Sequence, residues 1–160
     1  MKITKVVFLI LYFSLFTYHC LSSLQSGSES ANLSFGLTDL VIKIFKIEVE
    51  DVDGLHHIIR KLIGHFAYFG LIGLCGFIAY YFFTESLKYT MIFSSISGVL
   101  MAFESEFLQY FANERGPSFI DVLIDYSGYL LTSIVLFAII FSIKRTKMKK
   151  MTKGLAPLKN

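Results

Sequence analysis

The sequence predicts an all-α membrane protein, a bundle of four transmembrane helices with an outer amphipathic helical segment between the first helix and the second. Of the 160 residues, 54% are hydrophobic, and the mean hydropathy is +0.62. A soluble domain of this size rarely carries so many apolar residues, because its outside must face water. The apolar residues also collect in four runs, and the last three, of about 20 residues each, are long enough to cross the ~30 Å hydrocarbon core of a bilayer.

The first apolar run covers residues 6–21 and follows Lys2 and Lys5. A basic start, an apolar centre and small residues afterwards are also features of a cleaved signal peptide. However, no A-x-A cleavage site follows the run, and no lipobox precedes Cys20. We therefore favour a retained first transmembrane helix, a signal anchor over residues 1–24, with the removed signal peptide as the alternative.

Residues 25–61 form a long connection that contains a helical pattern of its own. Asn32 begins this pattern, which ends near Ile47, and its apolar positions are Leu33, Leu37, Val41, Ile44 and Phe45. This spacing predicts an amphipathic helix that lies on the membrane surface. Asp51 or Asp53 is placed to cap a further helix that continues into the second span.

The other three spans make up the core of the bundle, residues 62–143. They cover residues 62–83, 89–110 and 122–143. With four spans, both termini lie on one side of the membrane, and both carry lysines. Because basic segments next to a span stay in the cytoplasm, we expect both termini there, with residues 144–160 as a basic cytoplasmic tail. The long connection and the 111–121 loop then face outward.

The expected partner of these segments is the lipid bilayer. A basic tail directly after an apolar helix is more typical of contact with an anionic membrane face than of nucleic-acid binding. Both cysteines, Cys20 and Cys75, lie inside apolar runs, which argues against a disulfide framework and a structural zinc site. No sequence pattern indicates a cofactor.

Polar residues gather where three of the spans reach the outer side. A charged side chain at membrane depth costs ~2.5–3.5 kcal/mol on insertion scales, so such groups usually face the bundle interior and pair. The polar residues at the outer side are Arg60, Lys61 and His65 on the second span, Glu104, Glu106 and Gln109 on the third, Arg115 in the short loop, and Asp121 and Asp125 at the fourth.

Helical spacing separates an inward-facing set from the rest. On the third span, Glu106 and Gln109 share a stripe with small residues, which let helices approach closely in a bilayer. Glu104 lies about 200° around the helix from Glu106 and is expected on another face. Asp121 and Asp125 fall on a similar stripe of the fourth span.

Two interpretations of this cluster stay open. It is either an ion-pair cluster that fixes the helix register, or a site in which Glu106, His65 and Asp121 are the candidate catalytic acid–base groups. The candidate substrate-binding residues around them are Arg60, Lys61, Gln109, Arg115, Asp125 and Tyr68. A metal held by His65, Glu106 and Asp121 is a weaker alternative, because no H-x-x-x-H or H-E-x-x-H pattern is present, and we predict none.

Four segments resemble the VanZ-like membrane proteins, a family named for a protein linked to low-level teicoplanin resistance. In chain order they are Ser22-Ser23-Leu24-Gln25-Ser26-Gly27, Arg60-Lys61 with His65-Phe66-Ala67-Tyr68-Phe69, Glu106-Phe107-Leu108-Gln109 with Arg115, and Asp121-Val122-Leu123-Ile124-Asp125 with Gly128. The resemblance covers the chain from the end of the first helix to the fourth. Two positions depart from the family pattern, with Ser105 where Asp is usual and Asp125 where Asn is usual.

The resemblance implies a VanZ-like protein of the bacterial cell envelope that influences glycopeptide susceptibility through a polar site at the outer leaflet. The convergence of basic and acidic groups suits a lipid-linked envelope precursor or an anionic lipid head group. The alternative is a membrane-embedded enzyme acting on a lipid or lipid-linked substrate. Transport is disfavoured, because the inner halves of the spans are almost entirely apolar.

Overall fold

The computed structural model describes residues 2–46 and 48–154, and this part of the chain is helical with no strand. The structure confirms the predicted all-α fold with four long apolar helices. In chain order the elements are α1 (Lys2–Ser23), α2 (Gly27–Phe45), α3 (Val52–Ile59), a π-helical segment (Arg60–Ala67), α4 (Tyr68–Thr84), α5 (Leu87–Gln109) and α6 (Phe119–Gly154).

Among the described residues, four helical stretches are long and apolar enough to cross a membrane. They are Ile3–Ser23, Val52–Thr84, Leu87–Gln109 and Phe119–Thr152. Large apolar side chains such as Leu100, Phe107 and Leu131 point away from the bundle with more than half of their surface exposed. Such an exterior suits hydrocarbon rather than water, so the chain is a multi-pass membrane protein.

The second span is longer than the hydropathy pattern predicts, because α3, the π-helical segment and α4 join into one helical stretch. Of the two capping candidates, Asp51 is the cap, since its carboxylate accepts a hydrogen bond from the Gly54 N–H at 2.9 Å. The π-helical segment contains Arg60, Lys61 and His65. π-Helical turns are uncommon and often occur at functional sites.

The connection between α1 and α4 also contains α2, which runs over most of the predicted amphipathic stretch. Ser26 begins it with a capping box, in which its hydroxyl accepts from the Glu29 N–H and the Glu29 carboxylate accepts from the Ser26 N–H. α2 starts earlier than predicted and ends at Phe45, and Ile47 lies outside the described residues. Its position on an outer membrane surface stays a prediction.

The fourth span continues without a break into the basic tail, because α6 runs to Gly154. Lys144 lies above the ring of Tyr81 at 5.1 Å from the ring centre, a cation–π contact. The rest of the predicted tail, residues 155–160, lies outside the described residues, as does Met1 in the predicted first span.

The core of the bundle forms where α1, α4, α5 and α6 pack around Tyr129. Buried apolar side chains from all four helices surround it, namely Tyr12, Phe69, Ile72, Cys75, Met101, Ala102 and Val122. Glycines permit the close approach: a Cβ added to Gly73 would lie 2.7 Å from the Tyr129 carbonyl oxygen, and one on Gly98 would lie 2.7 Å from the Tyr129 ring. The predicted small-residue stripe on α5 is therefore used for helix packing.

Candidate functional site

Three buried polar side chains from three helices meet near one end of the bundle. His65 comes from the π-helical segment, Glu106 from α5 and Asp125 from α6, and each is at most 6% exposed. One nitrogen or oxygen atom from each lies within 4.8 Å of the others. His65 Nδ1 and Asp125 Oδ1 are 3.0 Å apart, a hydrogen-bonding distance. We call these three residues the polar triad.

Glu106 is held in place by two hydrogen-bond donors. The Gln109 side-chain amide donates to Glu106 Oε1 from one turn further along α5, and the Ser118 backbone N–H donates to Oε2 at 2.8 Å. Gln109 is 4% exposed. Both residues of the predicted inward pair therefore face the interior, while Glu104 is exposed as the helical spacing indicates.

Asp121 lies outside the triad and lines a cavity next to it. Sequence spacing paired it with Glu106 and His65, but the structure brings Asp125, one turn later on α6, into that place. Asp121 instead forms an ion pair with Lys61, with 3.6 Å between Asp121 Oδ1 and Lys61 Nζ. Asp121, which the sequence predicted as an acid–base group, is thus paired with a lysine in the cavity wall.

A cavity of about 610 Å³ opens beside the triad, between the start of α2, the π-helical segment and the α5–α6 loop. Its wall carries six of the predicted binding or acid–base residues and several new ones. The charged and polar residues that line it are Ser28, His57, Arg60, Lys61, His65, Gln109, Glu114, Arg115 and Asp121. A cavity of this volume is in the usual range for small-molecule sites.

A second cavity of about 330 Å³ lies next to the first and shares part of its wall. The shared residues are Arg60, His65, Gln109 and Arg115. Its other walls include the apolar side chains of Leu33 and Leu37 on α2, Ile63 and Tyr68. The Tyr68 hydroxyl donates to the Leu15 carbonyl at 2.9 Å, so its proton already has an acceptor within the protein.

Arg115 lies in the short loop between α5 and α6, where both cavities meet. Its Nη1 donates to the Ser22 carbonyl at 3.2 Å, and its buried Nε has no hydrogen-bond partner among the described residues. Burial lowers the pKa of the Arg115 guanidinium and the charge of Arg60 lowers it further, while Glu106 and Asp121 raise it. An arginine remains charged in proteins, so this half-buried cation lacks part of its hydrogen bonding.

The loop with Arg115 is fastened to the start of α2. Gly27 N–H donates to the Asn113 carbonyl at 2.9 Å, and Ser28 N–H donates to a Glu114 carboxylate oxygen at 3.2 Å. A Cβ on Gly27 would lie 2.5 Å from the Glu114 carbonyl oxygen. The serine-rich segment after α1 is therefore part of the cavity wall.

Sequence analysis missed a second buried polar group, formed by His19, Ser23 and Ser105. His19 Nε2 and Ser105 Oγ are 2.7 Å apart, and Ser23 Oγ is 3.2 Å from Ser105 Oγ. All three are less than a tenth exposed. A histidine inside an apolar span was the available indication, since such residues mark polar contacts at membrane depth.

Comparisons with known proteins add no relative. No protein-family model, no curated protein and no solved structure matches the chain. The four segments that resemble the VanZ-like family nevertheless meet in space, because the Ser22–Gly27 segment contacts the Arg115 loop, and His65, Glu106 and Asp125 form the triad. Membership of that family stays a prediction.

Proposed function

We propose that the protein is a VanZ-like membrane protein of the bacterial cell envelope that binds the phosphate-bearing head group of a lipid or lipid-linked envelope precursor. The observation that carries this proposal is the pair of arginines, Arg60 and Arg115, in the wall that the two cavities share. Guanidinium groups bind phosphate through paired hydrogen bonds. Through this binding the protein would alter how a glycopeptide of the teicoplanin type reaches its lipid-anchored target.

The charges around the larger cavity support an anionic ligand. Two of its carboxylates already have partners, since Asp121 pairs with Lys61 and Glu114 accepts from the Ser28 N–H. No ion pair in the described part of the chain involves Arg60 or Arg115. A phosphate would supply the acceptor that the buried Arg115 Nε lacks.

The second cavity supports a lipid rather than free phosphate. Leu33, Leu37 and Ile63 offer apolar surface within the same space that Arg60 and Arg115 reach. A lipid head group could bind the arginines while the first carbons of its chain contact this apolar wall. Burying each CH₂ group contributes about 0.8 kcal/mol, so even a short stretch of chain favours the lipid over inorganic phosphate.

The proposal is tested by titrating the purified protein in nonionic detergent with a short-chain phosphatidic acid, and separately with inorganic phosphate. We expect saturable binding of the lipid, weaker binding of phosphate, and at least about a tenfold loss of affinity in Arg115→Gln, because a charge-assisted pair contributes ~1.5–3 kcal/mol. The control is Lys88→Gln, an exposed cation at the start of α5. Equal affinity for a short-chain phosphatidylcholine, or no effect of Arg115→Gln, would refute the proposal.

In cells, the proposal is tested by measuring teicoplanin susceptibility. We expect a deletion strain to change its susceptibility, and the wild-type gene to restore it. Unchanged susceptibility in the deletion strain would refute the link to glycopeptides. Membrane levels of each complementing variant are checked by blotting, so that loss of protein is not mistaken for loss of function.

A second candidate function is an enzyme acting on the same lipid, favoured by the contact between His65 and Asp125 next to Glu106. A histidine oriented by a carboxylate is a common general base. Glu106→Gln separates the two candidates, because it keeps the shape of the side chain and removes its acid–base capacity. A binding protein would retain both lipid binding and complementation, whereas an enzyme would retain binding and lose complementation.

The proposed function requires that the cavities open at the outer leaflet. We therefore propose that both termini lie in the cytoplasm. The lysines at the start of α1 and the end of α6 support this orientation. With Cys20 and Cys75 replaced by serine, a single cysteine at Asp53 should react with a membrane-impermeant reagent in intact cells. One at Lys150 should react only after lysis, and the reverse result would place the cavities on the cytoplasmic side.

A further inference from the structure

We propose that the polar triad of His65, Glu106 and Asp125 binds one divalent transition-metal ion. One imidazole and two carboxylates are the ligand types that zinc and manganese accept. The three side chains come from three different helices, are each buried, and bring one ligand atom apiece within 4.8 Å of the others. Their meeting point is therefore set by the packing of the bundle rather than by one local motif.

The distances are close to those a metal site needs. Nitrogen and oxygen ligands lie ~2.0–2.2 Å from zinc, which places neighbouring ligand atoms of a tetrahedral site about 3.5 Å apart. His65 Nδ1 and Asp125 Oδ1 are already 3.0 Å apart. The distances that involve Glu106 are at most 4.8 Å, so a shift of no more than about 1.3 Å brings its carboxylate to the spacing of a tetrahedral site.

Asp125 gives independent support, because one of its oxygens has no partner. The residue is completely buried, and Oδ2 lies without a hydrogen bond among the residues that the structure describes. An unpartnered buried oxygen of a carboxylate is costly and calls for a specific explanation. The contact with His65 accounts for only Oδ1, whereas a metal ion bound by this carboxylate would compensate the whole group.

Glu106 retains the capacity to bind a metal. Each of its oxygens accepts one hydrogen bond, one from Gln109 and one from the Ser118 N–H. An ionised carboxylate has about four acceptor positions, so lone pairs remain. Outer contacts of this kind commonly orient metal ligands.

Charge favours a cation at this point. Metal ligands must be deprotonated, and with both carboxylates ionised and the histidine neutral the triad has a formal charge of −2. The lysine in an ion pair at this end of α6 among the described residues is Lys61, and it pairs with Asp121 rather than with the triad. A divalent ion neutralises that charge. Because three protein ligands leave one zinc position open, and His65 also lines both cavities, the open position would face the proposed head-group site.

The test is metal binding by the purified protein, and it does not depend on lipid. The protein in nonionic detergent is stripped with EDTA, dialysed against Zn²⁺ or Mn²⁺, and analysed by elemental mass spectrometry. We expect about one ion per chain. Loss of a residue that only hydrogen-bonds a metal ligand typically costs about 10–100-fold in metal affinity. Because Asp125 and Glu106 are proposed as ligands themselves, Asp125→Asn and Glu106→Gln should each lower the metal affinity by at least about tenfold.

Two control variants separate the triad from adventitious binding. Glu104→Gln removes an exposed carboxylate from the same helix as Glu106, and Asp53→Asn removes an exposed carboxylate from α3, outside both cavities. Both should keep the wild-type stoichiometry. Wild-type affinity in Asp125→Asn and Glu106→Gln, or loss of the ion in a control variant instead, would overturn the proposal.

Cobalt binding is measured on the wild-type chain alone. The proposal can therefore still be tested if a variant does not fold. We expect Co²⁺ to produce visible d–d absorption typical of a tetrahedral nitrogen–oxygen site, and Zn²⁺ to abolish it by competition. Absence of this absorption in the folded wild-type protein would refute the metal site. The phosphatidic acid titration of the metal-free protein is scored separately, so failure of one proposal is distinguishable from failure of the other.

Discussion

The tyrosine core and the polar triad are both buried, but they are built in opposite ways. Around Tyr129, apolar side chains and glycine contacts fill the space, and its one unpartnered polar atom is a neutral hydroxyl. Around the triad, the buried atoms without a hydrogen-bond partner among the described residues belong to ionisable groups, Arg115, Asp121 and Asp125. Because an unpaired buried charge costs far more than an unpaired hydroxyl, the core is explained by packing alone, whereas the triad calls for a ligand.

The difference predicts that substitutions in the packed regions change stability, whereas substitutions at the triad change binding. One residue, Gly128, joins the two regions, because it lies between Asp125 and Tyr129 on α6. A Cβ there would collide with the backbone carbonyl of Phe66, next to His65. Changes at this position therefore test both regions together.

The largest effect is expected for Gly128→Ala. Overpacking typically costs about 1–3 kcal/mol, and here the clash is with backbone, which cannot rotate away. We expect a clear fall in Tm, or loss of a monodisperse peak, in detergent. The control is Gly36→Ala on α2, where no atom lies within 4 Å of the added Cβ. Alanine there should stabilise the helix by ~0.5–1 kcal/mol, and equal Tm values for the two variants would contradict the packing argument.

The sequence predicts this fold well because hydropathy alone determines where a chain crosses a bilayer. Periodicity also placed Glu106 and Gln109 inward and Glu104 outward, since α5 is a regular helix. Asp121 and Asp125 could not be told apart, because they lie one turn apart on the same face of α6. The choice between them depends on the packing angle of the helices, which no local pattern records.

The π-helical segment marks another limit of sequence analysis. A π-helical turn has a different angular spacing of side chains from an α-helix. Lys61 and His65, four residues apart in Arg60–Ala67, nevertheless line the same cavity, with Lys61 exposed and His65 buried. Nothing in the composition of this segment predicts the wider turn. The contact between His19 and Ser105 was overlooked for a different reason, since His19 is the one histidine of an apolar run and Ser105 lies between two glutamates.

A smaller effect is expected for Ser105→Ala, which tests whether the polar end also relies on hydrogen bonds for stability. The change leaves His19 and Ser23 without their shared partner, and an unsatisfied buried polar group costs ~1–3 kcal/mol. We expect a moderate fall in Tm with lipid affinity unchanged. The matched control is Ser127→Ala, whose exposed hydroxyl bonds only to the Ile124 carbonyl of its own helix. A loss of stability in the control as large as in Ser105→Ala would contradict the role of the His19 group.

The smallest effect on stability is expected for Lys61→Gln, which sharpens the contrast between binding and packing. Lys61 Nζ is 3.6 Å from Asp121, and the lysine side chain is 47% exposed, so the ion pair should contribute no more than ~1 kcal/mol. Tm should change little, at low and at high salt, whereas affinity for phosphatidic acid should fall because the larger cavity loses a cation. A large fall in Tm would mean that the ion pair holds the π-helical segment against α6. In that case the wall of the cavity, like the tyrosine core, would have to be assigned to packing rather than to a ligand.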